Sequence, residues 1–438
     1  MVGTFEHDRG AQWLMAADPS LDPDAAKARL ERACVRLSFD ESLSQPWAQA
    51  AALTVVAAGK RMFRRGVYLE APVNAAVALM QHAPGAFHRY LVAAGAHEVE
   101  APEHAVRMHI GPRPPAGAFS CWADGWSGCV GPAPSKSETS AGNEISGVLA
   151  GAMALAEVFR RHVLGDLRAA RRALRLSAWG PSEPADAALR FLPADLWLLG
   201  LGNLGQANLW VLGLLPYWDS SKVRLLLQDF DVAGIENLDV QVLTEPNWID
   251  RKKARSAAAW AEARGFRTVI EERPFSADTR SGKEEPHVLI GGVDNLEARR
   301  LAAAAGFDLV VDAGLGASAP EAFDLRLHGF PGRRSAEDAW PVQEPAAPRR
   351  LSPALEKAVA DGRIDRCGAL TVAGKSVGVP CTALAAAALQ IGQVIRAIAT
   401  GRCCDLVDAS LSIANDAVFK VMESDLPRPP AFAEAAPR

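Results

Sequence analysis

At 438 residues the chain is long for one domain and fits two of roughly 150–250 residues. Its 49% hydrophobic content supports well-formed cores, and a net charge of −4 without a basic stripe argues against nucleic acid or anionic membrane as a main partner. Seven cysteines with no C-x-x-C pair argue against a disulfide framework or structural zinc and fit a reducing cytoplasm; the N-terminus MVGTFEHDRG has no signal-peptide core.

Before residue 175 the rhythm is alanine-rich and helical, with PWAQAAALTVVAAGKRMF predicted as an amphipathic helix. RRGVYLEAP and HAVRMHIGP read as short strands, AFSCWADGWSGCVGP as a tight-turned strand pair, and EISGVLAGAMALAEVFRRHV as a closing helix. Residues 178–194 carry three prolines among small polar residues and mark the junction.

The second half alternates strand and helix: LWLLGLG, GQANLWVLGLL, VRLLLQDFD, RKKARSAAAWAEARGF, TVIEERPF, HVLIGGVDN, LEARRLAAAAGF and DLVVDAGLG. That alternation predicts a doubly wound, mostly parallel Rossmann-like α/β sheet. Residues 331–365 form a Pro- and Arg-rich connection, and LTVAGKSVGVPCTALAAAALQIGQVIRAI returns as a loop and an Ala-rich helix. The stretch after Leu426 is expected to be a mobile tail. Both halves end on small-residue helices closing in an apolar-apolar-Arg pattern, an echo compatible with a repeat whose first copy has lost its glycine loop.

The charge-free run Leu196–Trp218 is long enough for a membrane span, but loop glycines, Asn203, Gln206, Asn208 and Pro216 break it into strand, turn and buried helix. Gly200, Gly202 and Gly205 give G-x-G-x-x-G between strand and helix, where backbone N–H groups, including that of Asn203, would hold a phosphate. Asp229, 24 residues past Gly205, suits a ribose in either a dinucleotide or an ATP site.

The residues beyond Asp229 separate the two. QDFDVAGIENLDVQVL, then NWIDRKKARSAAAWAEARGF, then IGGVDNLEARR resemble the ubiquitin-activating and ThiF/MoeB adenylyltransferase superfamily. Its pattern is D-x-D-x-V, N-L-x-R-Q, a lysine before alanine on the next helix, and D-N-x-x-x-R; Asp229, Asp231, Asn237, Leu238, Gln241, Lys253, Asp294, Asn295 and Arg299 match it. The likeness covers residues 195–315 closely and runs more loosely to about 420. It implies ATP and Mg²⁺, with Lys253 neutralising the phosphate chain and Asp294 holding the metal, which prefers oxygen ligands. Singly, each has a plain alternative: Lys252 and Lys253 a solvated helix face, Asp294 a helix cap, Asn237 a turn residue. The family's turn arginine is Val240 here; Arg251 or Arg255, or Lys60, Arg61, Arg64 or Arg65 from the first half, would have to replace it.

The resemblance also implies, for the ubiquitin-like branch, acyl transfer to a cysteine. Cys381-Thr382 stands at the head of a helix, where the dipole would lower the thiol pKa, in an arrangement similar to the activating enzyme of autophagy. Cys367 in DRCGAL is the competitor, and an inert buried cysteine the plain alternative.

The resulting expectation is an activating enzyme for a ubiquitin-like protein, similar to those of bacterial antiphage conjugation operons. An inactive adenylation-like α/β domain would span 1–180, an active adenylation domain 185–425, and a tail 426–438. A conjugating enzyme would take the acyl group; monomer and homodimer both fit. The other readings are an adenylyltransferase that stops at the adenylate, an NAD-dependent oxidoreductase, and a nucleotide-inactive scaffold.

Overall fold

The computed structural model describes residues 9–18, 20–133, 141–316, 318, 321–341, 351, 353–362 and 378–437. The first half runs α1 (Arg9–Ala17), α2 (Pro23–Glu31), β1 (Val35–Phe39), α3 (Pro46–Met62), β2 (Val67–Leu69), α4 (His88–Ala94), β3 (Ala96–His97), β4 (Val106–Ile110), β5 (Phe119–Asp124), β6 (Ser127–Gly131), α5 (Glu144–His162) and β7 (Leu174–Ser177). Its helices are punctuated as their sequences suggest. Pro46 opens α3 at a position whose N–H has no helical partner, and Lys60 and Arg61 close it on the negative end of the dipole. Asn143 and Ser146 form a reciprocal capping box on α5.

The second half runs β8 (Phe191–Pro193), β9 (Asp195–Leu199), α6 (Asn203–Leu212), β10 (Arg224–Gln228), α7 (Lys253–Glu262), β11 (Arg267–Glu271), β12 (Val288–Gly291), α8 (Leu296–Ala303), β13 (Leu309–Leu315), β14 (Asp324–Phe330), α9 (Ala336–Ala339), α10 (Pro353–Ala360), α11 (Pro380–Thr400), β15 (Cys404–Ser410), β16 (Val418–Val421) and β17 (Phe432–Glu434).

The two large sheets share one topology. The first has the order β3-β2-β1-β4-β5-β6-β7, the second β11-β10-β9-β12-β13-β14-β15-β16. In each, five parallel strands lead and antiparallel strands follow. The echoing helices are α5 and α11, and they occupy equivalent places: each precedes a late antiparallel strand of its sheet.

Helices α3, α6 and α11 join the halves. Trp210 on α6 donates to Thr54 on α3 at 3.0 Å. Gln393 and Arg396 on α11 donate to the Ala178 and Trp179 carbonyls, both at 2.9 Å. Among the described residues α11 is the one helix long and apolar enough to cross a bilayer; here 94% of its apolar window is buried in the protein.

One expectation needs correction. The stretch expected to be a mobile tail is docked, because β17 pairs antiparallel with β8 and the Ala436 N–H donates to Pro216 O at 2.7 Å. Its F-A-E alternation buries Ala433 and turns its neighbours outward, a period-two pattern hidden by the surrounding prolines.

Candidate functional site

In the order β10-β9-β12 the chain winds to one side from β9 and then to the other. The crevice at the carboxyl ends of β9 and β12 is therefore the switch point where open α/β sheets bind ligands. Three turns meet there: 200–202 after β9, 229–231 after β10 and 292–294 after β12.

The glycine turn is built tightly. Gly200 has φ +85, and a Cβ on Gly205 would stand 1.8 Å from the Gly200 carbonyl oxygen, so that close approach requires glycine. Gly202 caps α6 with nothing within 4 Å of where its Cβ would be, leaving the helix start open to an approaching group. Asn203 comes next, and its buried Nδ2 finds no hydrogen-bond partner among the described residues. An open helix N-terminus with an orphaned amide donor fits a nucleotide phosphate.

Asp229 shapes this turn. Its Oδ2 accepts the Leu201 N–H at 2.6 Å and its Oδ1 the Asp231 N–H at 2.8 Å. Asp231 in turn pairs with Lys253, Nζ to Oδ2 2.8 Å; the lysine side chain is 9% exposed and the aspartate 52%, so the pair stands at the rim. Asp294 is exposed on the turn after β12. Among the described residues no cluster of three metal-ligating side chains exists. Mg²⁺ is commonly held by one or two carboxylates plus substrate phosphates, and Asp294 fits that mode.

The other matched residues bond within the protein. The Asn237 carboxamide oxygen accepts the Gly234 N–H at 2.9 Å and closes a turn. Gln241 is buried, its Oε1 accepting from Gln206 at 2.7 Å and from Thr244 at 2.8 Å behind the glycine turn. Asn295, rather than Asp294, caps α8 through the Glu297 and Ala298 N–H groups. Arg299 donates to the Val293 and Ala313 carbonyls and pairs with buried Asp312 at 3.2 Å, tying the turn after β12 to β13. Arg255 is engaged with Glu272 through two bonds of 2.8 Å.

Cys381 is fully buried at the start of α11. Its place at the helix head predicts a lowered pKa; instead burial pushes the thiol up to about 12, because removing the thiolate from water outweighs the turn's hydrogen bonds. The other described cysteines, Cys34, Cys121, Cys129, Cys403 and Cys404, are buried as well. Cys367 lies outside the described residues.

The equivalent switch point of the first half has no glycine turn. Asp40 follows β1 directly, and its carboxylate accepts the Ser42 N–H at 2.8 Å and the Arg113 N–H at 3.2 Å. Burial raises its pKa, but bonds from His109, Ser42 and the Arg113 backbone prevail and hold it at about 2. A fixed carboxylate where a phosphate would sit disfavours nucleotide there.

Residues 35–178 match the model of the BilD N-terminal domain, and residues 192–401 that of the BilD C-terminal domain. The chain is 37% identical over 285 residues to the bacterial E1-like protein BilD of Collimonas sp. (strain OK412). That alignment covers 63% of this chain and 61% of the relative's length. Among solved structures, it is similar to E. coli MccB, with 12% identity, 56% of this chain and 66% of that chain covered, and a TM-score of 0.33. MccB crystallised with AMPCPP and MccA gives 12% identity, 56% and 67% coverage and a TM-score of 0.32.

Proposed function

This chain belongs to the BilD family of bacterial E1-like proteins, and from that premise we propose that it activates the C-terminal carboxylate of a ubiquitin-like protein with ATP. A carboxylate oxygen attacks the α-phosphorus, the bond to the β-phosphate breaks, and an acyl-adenylate and pyrophosphate form. The chemistry is mostly positioning and charge neutralisation. The observation that carries the reading is the open, Asp229-braced glycine turn, flanked by Lys253 on one rim and Asp294 on the other. Backbone N–H groups of the turn would hold phosphate, Lys253 would neutralise the chain, and Asp294 would hold Mg²⁺, which supplies further charge neutralisation.

The second step would be attack of a cysteine sulfur on the acyl carbon with loss of AMP, followed by transfer to a conjugating enzyme. Cys381 can serve only if the start of α11 opens, since its thiol is closed off and neutral. The test is a non-reducing gel after incubation with ATP, Mg²⁺ and a Gly-ended β-grasp protein. A thiol-sensitive adduct lost in Cys381→Ala assigns the acceptor; loss in Cys367→Ala instead moves it. No adduct despite adenylate formation would leave an adenylyltransferase without thioester chemistry.

A further inference from the structure

A strand at the edge of a sheet offers unpaired N–H and C=O groups to any strand that meets it, and folded chains usually blunt such edges. Of the four edges of the two large sheets, three are blunted. β3 is only two residues long. Asn415 closes β7, its carboxamide accepting the Arg175 N–H at 2.7 Å and donating to Ala173 O at 3.0 Å. β16 carries Lys420, and its pairing with β15 shifts register between Cys404 and Leu406.

β11 has none of these devices. Its five residues, RTVIE, pair with β10 in unbroken register, without proline, lysine or bulge. Val269 and Ile270, on opposite faces, are 47% and 42% exposed. The Arg267 N–H donates to Val223 O and Glu271 O accepts the Asp229 N–H, so both residues turn these backbone groups inward to β10. Thr268 and Ile270 therefore turn theirs outward.

This edge is complementary to itself. Laid antiparallel about Val269, RTVIE sets Arg267 opposite Glu271 of a second copy and Glu271 opposite that copy's Arg267. In the same register Thr268 and Ile270 of the two copies exchange N–H···O bonds, and the two Val269 side chains meet on the two-fold axis. Arg267 is exposed and has no ion pair among the described residues; Glu271 accepts from Arg273 at 2.9 Å and would lie between two arginines.

We propose that β11 is a homodimer surface, joining the 8-stranded sheets of two copies into one continuous sheet. Backbone bonds over five residues with paired charges make a small contact, at the weak, concentration-dependent end of protein interfaces. The seam lies next to the strand end that carries Asp229, whose N–H Glu271 O holds.

Sedimentation velocity of the full chain over a range of concentrations tests this. Wild type should show a monomer–dimer equilibrium that shifts with concentration. Val269→Lys sets two ammonium groups together on the axis, and Arg267→Glu sets carboxylate against carboxylate. Each should weaken dimerisation by about tenfold or more at unchanged melting temperature. Combining Arg267→Glu with Glu271→Arg reverses both partners and should restore the dimer. Val269→Cys should form a disulfide-linked dimer on mild oxidation, beyond any seen in wild type, because facing residues of a non-hydrogen-bonded pair lie within disulfide reach. A wild-type chain that stays monomeric throughout leaves the edge to an extended segment of another protein and overturns the proposal. A dimer that Val269→Lys leaves intact, or a charge reversal that restores nothing, overturns it as well.

Discussion

Asp229 Oδ2 lies 2.6 Å from the Leu201 nitrogen, so the acid at the end of β10 fixes the turn after β9. Asp229→Ala should therefore loosen the phosphate site even if no ligand atom touches the carboxylate. We expect about 1–3 kcal/mol of lost stability, from the stranded Leu201 N–H, and at least tenfold weaker ATP binding. Thermal melts with titration check this; weakened ATP binding with unchanged melting would shift Asp229 from bracing the loop to direct contact.

The glycines separate folding from binding. Gly205→Ala sets a Cβ against the Gly200 carbonyl, and the chain should lose stability and nucleotide together. Gly202→Ala enters open space at φ −75, so its melting temperature should match wild type while ATP binding falls. Normal ATP affinity in Gly202→Ala would show that no phosphate approaches this turn.

Lys253 is held at the rim by Asp231, 2.8 Å away, and half of that pair is exposed. Removing it should cost little stability, on the scale of about 0–1 kcal/mol for partly exposed pairs. Lys253→Ala should nevertheless slow adenylation by about 100-fold or more, as loss of a transition-state charge partner does. Pre-steady-state adenylate formation reads the difference; a large melting shift with near-normal rate would make the lysine structural.

The second-half fold was legible because β9, β10, β12 and β13 are apolar runs, each closed by glycine or acid. β1 and the antiparallel β14 to β16 were not: VRLSF is short and buried mainly on one face, and DLRLHGF carries polar residues that pair across the sheet, as Arg326 does with Asp408. The glycine turn, Asp229 and the Lys253–Asp231 pair adjoin one another at the switch point, linked through the bonds of Asp229 and Asp231. Gln241, Asn295 and Arg299, matched by the same motifs, bond here to the protein itself, a contact that spacing alone does not show. The meeting of Lys60 and Arg61 with Glu245 depends on docking of the halves, which no local pattern encodes.

The Cys381 thiol sets a pH signature. Burial raises its folded pKa to about 12 from an ordinary value of 9.0. The neutral thiol's advantage in the folded state is fully present below pH 9 and is lost as pH rises toward 12, because the unfolded thiol ionises first. The stability difference between wild type and Cys381→Ala should shrink by up to about 1.4 kcal/mol per pH unit in that window. Urea melts at several pH values measure it; a difference flat above pH 9 would mean the thiol ionises in the folded protein.

The most direct test of carboxylate activation is ATP–pyrophosphate exchange with labelled pyrophosphate, Mg²⁺ and a Gly-ended β-grasp protein as the carboxylate substrate. Adenylation predicts label entering ATP only when that protein is present, lost in Lys253→Ala and Asp294→Ala, and retained in Cys381→Ala. No exchange from wild-type chain that instead binds NAD tightly would contradict it.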